Sequence, residues 1–114
     1  MAASSVNDSR DVSLPEEPAA SWTFLTNHSH VLICLRRDPR MRVRDLADAV
    51  GITERAVQGI VKDLEDGGCL TRHREGRRNR YVITDDRPMR HRVERSHVVG
   101  ELLDAMAPEG PAGP

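Results

Sequence analysis

Arginine is the residue type with the most direct chemical meaning in this chain. Five arginines lie within the nine residues Arg72–Arg80, where Glu75 is the single acid. A guanidinium group stays charged and donates paired hydrogen bonds that match phosphate oxygens. Such a dense basic patch on a small protein is typical of nucleic-acid binding, although a solvated charged loop would have the same composition. The neighbouring secondary-structure elements are therefore needed to distinguish these two interpretations.

Histidine and cysteine show none of the spacings that catalysis or metal binding needs. The chain contains no HExxH pair, no phosphate-binding glycine loop and no GxSxG elbow. His28 and His30 are two residues apart and would point in different directions on a helix, which disfavours a metal sensor. Cys34 and Cys69 form no CxxC pair, so we expect reduced thiols in core packing, with a redox switch at Cys69 as the alternative. The sequence predicts no enzyme, no cofactor and no metal site.

Hydrophobic periodicity predicts two helices ahead of the basic patch. The first spans 27–37, with Asn27 as the expected cap, and ends at Asp38 because a residue before proline avoids the helical region. The second carries one apolar stripe at i, i+3, i+4 and i+7, which consists of Val43, Leu46, Ala47 and Val50. Gly51 should end this helix as a left-handed cap.

A third helix, predicted over 53–66, carries two complementary stripes. Its apolar stripe faces a core and consists of Val57, Ile60, Val61 and Leu64. The opposite stripe offers donors for guanine and adenine edges and consists of Arg55, Gln58, Gly59 and Lys62. Thr53 is the expected N-cap, and Glu54 either caps the helix or accepts from a cytosine. Gly59 costs about 1 kcal/mol relative to alanine, so it serves either a close approach to DNA or a fit against a neighbouring helix.

The order of these elements predicts a winged helix-turn-helix. The turn Gly51-Ile52-Thr53 has the length that joins the two helices of a helix-turn-helix. Strand-like runs over 69–74 and 80–84 flank a basic turn and predict a β-hairpin, the wing. Its tip would lie beside the DNA backbone or in the minor groove, and a third short strand is expected over 41–43. The predicted fold class is mainly α with a small β-hairpin (α+β).

These residues also carry a family resemblance. The stretch 44–57, RDLADAVGITERAV, and the stretch 61–70, VKDLEDGGCL, resemble the helix-turn-helix core of MarR-like winged-helix transcriptional regulators of bacteria. The resemblance spans roughly 26–84 and implies a small stand-alone member with a recognition helix over 53–66, an inverted-repeat site on double-stranded DNA and a homodimer. The expected DNA-binding residues are Arg44, Thr53, Glu54, Arg55, Gln58, Gly59, Lys62, Arg72, Arg74, Arg77, Arg78, Asn79 and Arg80.

A last amphipathic helix is predicted after the wing, over 95–107. Its apolar residues must cover the chain's own core or pair with a partner, and we favour pairing because the core already has three helices and a sheet. The expected dimer interface comprises Trp22, Phe24, Leu25, Val98, Val99, Leu102, Leu103 and Met106. Symmetric pairing would place two recognition helices about 34 Å apart on a pseudo-palindromic operator.

The formal net charge of −1 conceals a segregation of charge along the chain. We expect an acidic disordered tail over 1–20, the DNA-binding domain over 21–84, a basic linker over 85–94 and a disordered tail over 108–114. The linker either adds phosphate contacts or is a solvated connector. Because the sequence lacks a run of about 18 apolar residues and a secretory signal, we expect a cytoplasmic, nucleoid-associated protein.

Two rival functions use the same fold. A winged helix can dock another polypeptide, or it can bind DNA without reading its sequence. The basic groups on the third helix and the wing favour DNA over a protein partner, and a steep loss of binding with salt would distinguish DNA binding.

Overall fold

The computed structural model describes residues 22–107, which form four helices and one hairpin. The order is α1 (Asn27–Arg37), α2 (Val43–Val50), α3 (Glu54–Asp66), β1 (Leu70–Glu75), β2 (Arg78–Ile83) and α4 (Val99–Ala105). This arrangement confirms the predicted fold class, a winged helix-turn-helix of mainly α structure with a small hairpin. The tails predicted over 1–20 and 108–114 lie outside the described residues.

Helix α1 has the predicted bounds, but its cap differs from the prediction. Thr26 is the N-cap residue, while Asn27 is the first helical residue and its Oδ1 lies 3.0 Å from Nδ1 of His30. Asp38 adopts an extended backbone ahead of Pro39 and ends the helix. The expectation that Asn27 caps the helix is therefore wrong by one residue.

The helix-turn-helix is built by one backbone cap and one side-chain cap. Gly51 follows α2 with a φ of +85°, and its N–H donates to the Ala47 carbonyl over 2.8 Å. Two residues later, Thr53 Oγ1 accepts from the N–H of Ala56 over 3.0 Å at the start of α3. These caps fix the short turn from which α3 leaves.

The wing is the antiparallel hairpin of β1 and β2, residues 70–83. Its register pairs Leu70 with Ile83 and Glu75 with Arg78, so the turn is only Gly76-Arg77 and the strands reach closer to the tip than predicted. The third strand expected over 41–43 is wrong, because α2 begins at Val43 and the described sheet has two strands. Pro39 has no N–H for a ladder, and only its carbonyl pairs with the wing, accepting from the Tyr81 N–H over 2.9 Å.

The core lies between the three first helices, the wing and α4. No charged side chain is buried in it among residues 22–107. Its buried residues are Val31, Leu32, Leu35, Leu46, Ala47, Val57, Ile60, Val61, Leu64, Cys69, Leu70, Tyr81, Val99 and Leu103.

The segment after the wing folds back on itself through backbone hydrogen bonds. The Met89 N–H donates to the His97 carbonyl over 2.9 Å, and the Val99 N–H donates to the Arg87 carbonyl over 2.8 Å. This extended pairing holds residues 95–98 out of the helix, so α4 begins at Val99 instead of the predicted residue 95. Glu101 Oε1 accepts from the Val98 N–H over 2.8 Å and caps the new start.

Helix α4 uses part of its apolar stripe inside the chain. Val99 is buried and Leu103 is only 1% exposed, and both belong to the core that α1 also lines. Arg36 of α1 adds ion pairs to Asp85, over 2.5 Å, and to Asp104. The assignment of Val99 and Leu103 to a dimer interface is therefore corrected: they cover the chain's own core, because three helices and a two-stranded hairpin leave one side of α1 open.

Candidate nucleic-acid interface

The outer face of α3 is solvent-exposed along its whole length. Arg55, Gln58, Gly59 and Lys62 are all exposed, whereas the apolar stripe of the same helix is buried. A Cβ atom built on Gly59 would meet no atom within 4 Å. The alternative that Gly59 fits against a neighbouring helix is therefore excluded for the described residues, and its open surface leaves room for a ligand to approach the helix backbone.

Several expected DNA-binding cations have intramolecular partners in the free protein. Lys62 Nζ lies 3.1 Å from Asp66 Oδ2, one turn along α3. Arg72 donates to both carboxylate oxygens of Glu65, over 3.2 and 2.9 Å. These pairs are solvent-exposed, so each contributes little to stability and can exchange its partner for a phosphate at small cost.

Other expected cations form no such pair within the described part of the chain. Arg44 of α2, Arg55 of α3 and Arg77 at the wing tip are exposed, and none donates to another residue of 22–107. Arg74 of the wing donates only to the Gly76 carbonyl, over 2.9 Å, and keeps its charge unpaired there. Thr53 and Glu54 lie at the exposed start of α3, close to the N–H groups that carry the positive end of its dipole.

A basic cleft connects the wing with the segment before α2. We call residues 38–42 the α1–α2 loop; its Arg40 and Arg42 face Arg77, Arg78 and Asn79 across a cavity of about 200 Å³. Sequence reasoning missed Arg40 and Arg42, although arginines alternate at 40, 42 and 44. The cleft brings cations from distant parts of the chain together at the N-terminus of α2, an arrangement suited to a phosphate group.

Glu75 organises the guanidinium groups beside this cleft. Its carboxylate accepts from Arg80 Nε over 2.8 Å and from Arg40 Nε over 2.9 Å. Hydrogen bonds from Arg80 and Arg40 lower the pKa of Glu75 below its usual value, so the carboxylate keeps its charge further into acid than a free glutamate would. Arg78 Nη2 donates to the Arg40 carbonyl over 2.5 Å, which further ties the wing to the loop.

His28, Cys34 and Cys69 are among the residues considered for metal binding or redox chemistry. His28 Nε2 lies 2.9 Å from Asp63 Oδ2, and no group of three potential metal ligands occurs within 22–107. Burial raises the pKa of the Cys34 thiol, against an opposing effect of Arg37. Cys69 is buried in the core.

The basic segment after the wing lies near the C-terminal end of α3. Arg87 and Arg90 line a broad cleft of about 830 Å³ together with Asp63 and Asp66. Their guanidinium groups lie against Gly67 and Gly68, where positive charge suits the negative end of the helix dipole. Arg87 and Arg90 therefore lie at the C-terminal end of α3, away from its N-terminal turn.

The remaining candidates for a dimer interface are exposed or half-buried. Trp22 is 68% and Phe24 is 91% exposed, and their rings pack edge to face with centroids 5.0 Å apart. Val98 and Leu102 line an apolar groove of about 330 Å³ with Met89 and Val93. Leu25 is half-buried and Met106 is exposed.

A comparison with known protein families matches the part of the chain that contains the helix-turn-helix. Residues 25–71, from the approach to α1 through the start of β1, match a family model described as winged helix-turn-helix DNA-binding. This chain contains a winged helix-turn-helix domain. The matched range contains α1, α2, all of α3 and the first two residues of β1, and the fold expected from the sequence is confirmed.

A similar solved structure is that of MepR, a transcription regulator of the Staphylococcus aureus multidrug efflux pump MepA. It aligns with the winged helix-turn-helix chain at 20% identity and a TM-score of 0.45, over 70% of this chain and 58% of MepR. No curated protein sequence matches the chain at a significant level. Within 22–107, no helix is long and apolar enough to cross a membrane.

Proposed function

We propose that the chain is a MarR-like, sequence-specific regulator of transcription that binds double-stranded DNA as a homodimer. The observation that carries the proposal is the face of α3, where Arg55, Gln58 and Lys62 surround the open surface of Gly59. In the proposed complex α3 enters the major groove, and its long polar side chains reach base edges. Gly59 has no side chain, so the helix can lie close to a DNA strand.

The wing contributes affinity in this proposal. Arg77 at its tip and the cleft of Arg40, Arg42 and Arg78 lie against the DNA backbone or in the minor groove. Phosphate contacts position the domain without reading sequence, whereas contacts to base edges specify it. Arg44, Arg74 and Asn79 add to the same surface. Arg72 and Arg80 join it once they exchange Glu65 and Glu75, respectively, for phosphate.

The proposed dimer uses the apolar surface that α4 and the N-terminal aromatic pair leave exposed. We assign Trp22, Phe24, Leu25, Val98, Leu102 and Met106 to this interface, and we leave out Val99 and Leu103 because they are buried in the core. A two-fold pair would present its α3 helices to successive major grooves, about 34 Å apart, so the operator should be pseudo-palindromic. The proposed location is the cytoplasm, in association with the nucleoid, and the proposed role is not enzymatic.

A pair of variants across a salt series tests this function. Binding of the purified chain to duplex DNA should weaken steeply with salt because phosphate contacts release counterions. Arg77→Ala should weaken binding to all sequences alike, whereas Gln58→Ala should relax preference at one base position, by about 1 to 3 kcal/mol. Binding that ignores salt would favour a protein partner, and variants that behave alike on a panel of operators would favour a non-specific architectural binder.

A further inference from the structure

Glu75 connects two arginines that belong to different segments. Arg40 lies in the α1–α2 loop and Arg80 in β2, and each donates its Nε–H to a different oxygen of the Glu75 carboxylate, over 2.9 and 2.8 Å. Glu75 is also the only acid between Arg72 and Arg80. One carboxylate therefore neutralises part of the positive charge that the sequence concentrates in the wing.

This cluster is both fixed and open to solvent. The Tyr81 N–H donates to the Pro39 carbonyl over 2.9 Å, and Arg78 Nη2 donates to the Arg40 carbonyl over 2.5 Å, so the wing and the α1–α2 loop keep their relative position. The side chains of Arg40, Glu75 and Arg80 are 55%, 39% and 34% exposed. A phosphate could therefore reach the two guanidinium groups, but it would also meet the negative charge between them.

We propose that Glu75 is a positioning residue that limits the affinity of the wing for DNA of any sequence, because it holds Arg40 and Arg80 in the free protein. The inference rests on the proposed function. Affinity for arbitrary DNA depends on how many phosphates the protein neutralises, and selectivity is the ratio of operator affinity to that background. A carboxylate that occupies two cations lowers the background without touching the base-reading face of α3.

Glu75→Gln tests the proposal, since glutamine keeps the shape of the side chain and removes its charge. The probe is a short duplex of arbitrary sequence, and Kd is measured over a sodium chloride series. The variant should bind more tightly than wild type at low salt. If two additional phosphates are contacted, its advantage should shrink by up to about twelvefold when salt rises fourfold, from a slope of about 0.9 per phosphate.

Asp86→Asn is the matched control. Asp86 is exposed and makes no hydrogen bond to another residue of 22–107, so its substitution changes the net charge by the same amount without releasing an arginine. Asp86→Asn should keep the salt slope of the wild-type protein. Equal slopes for Glu75→Gln and Asp86→Asn would overturn the inference, because net charge alone would then explain the result.

A second measurement needs no DNA. The Nε–H signals of Arg40 and Arg80 in nuclear magnetic resonance spectra should be protected from solvent exchange in the wild-type chain. In Glu75→Gln at least one of the two should lose that protection, because glutamine keeps a single acceptor oxygen. Unchanged protection would overturn the inference. A wild-type chain that binds no duplex at any salt concentration would overturn the proposed function and this inference together, whereas steep salt dependence with identical slopes for both variants would overturn this inference alone.

Discussion

Gly100 of α4 lies directly against Asp85. A Cβ atom on Gly100 would stand 2.9 Å from the Asp85 Cβ and 3.0 Å from the Asp85 carbonyl oxygen. The Gly100 N–H donates to that same carbonyl over 2.8 Å. Since the Asp85 carboxylate also pairs with Arg36 of α1, the contact fixes α4 on the domain.

Gly100→Ala should therefore destabilise the fold. The added methyl group must push α4 away from a backbone carbonyl, at a cost of about 1 to 3 kcal/mol that exceeds the gain in helix propensity. Thermal unfolding followed by circular dichroism measures the loss of stability. A variant as stable as wild type would show that α4 is not seated as described.

Gly59→Ala is the matched substitution in α3, and its effects on stability and DNA binding should have opposite signs. Open space surrounds the position, so alanine should stabilise the helix by up to about 1 kcal/mol. The same methyl group should weaken DNA binding, because it lies on the face of α3 that is proposed to approach a DNA strand. Unchanged affinity in a stabilised variant would remove Gly59 from the interface.

The sequence predicts α1, α2 and α3 closely because their signals are local. Each helix boundary is set by residues within one turn of it. Asp38-Pro39 ends α1, Gly51 ends α2 and Thr53 caps the start of α3. The third strand over 41–43 failed because the Met41 N–H closes a turn on the Asp38 carbonyl over 3.1 Å and Val43 already begins α2. The long-range backbone contact of this segment with the wing is made instead at Pro39, whose carbonyl accepts from the Tyr81 N–H over 2.9 Å. A local pattern of apolar residues contains no information about that turn.

In the candidate site, features set by local sequence are predicted, whereas contacts between distant residues are not. The exposed stripe of α3 follows from helical periodicity. The pairing of Arg40 with Glu75 joins residues far apart in the chain and has no sequence signal beyond opposite charge. Likewise, periodicity shows that α4 has an apolar stripe but not that Val99 and Leu103 turn it towards the core.

Two adjacent leucines of α4 should separate folding from self-association. Leu103 is buried, so Leu103→Ala should cost about 2 to 5 kcal/mol of stability. Leu102 is half-buried beside the apolar groove, so Leu102→Ala should cost less stability but shift the protein towards monomer. Sedimentation at several concentrations measures the shift, and a Leu102→Ala protein that self-associates like wild type would argue against this interface.

Acid should weaken the N-terminal cap of α4 through Glu101. The hydrogen bond from the Val98 N–H, with a smaller contribution from His97, lowers the pKa of this carboxyl in the folded protein. A lowered folded-state pKa gives stability that is present above the unfolded value, about 4.3, and is lost as pH falls through the folded value. The difference in melting temperature between wild type and Glu101→Gln should therefore be positive near pH 6 and shrink below about pH 4. A difference that grows in acid would contradict this account.

Selection of bound duplexes from a random DNA pool, at moderate salt and with sequencing of the survivors, tests whether the protein reads DNA sequence as a two-fold dimer. We expect a two-fold symmetric motif whose half-sites are separated by about one turn of DNA. That result would support both base reading by α3 and the homodimer. If the bound duplexes show no motif enriched over the starting pool, sequence-specific regulation by this winged helix-turn-helix chain is contradicted.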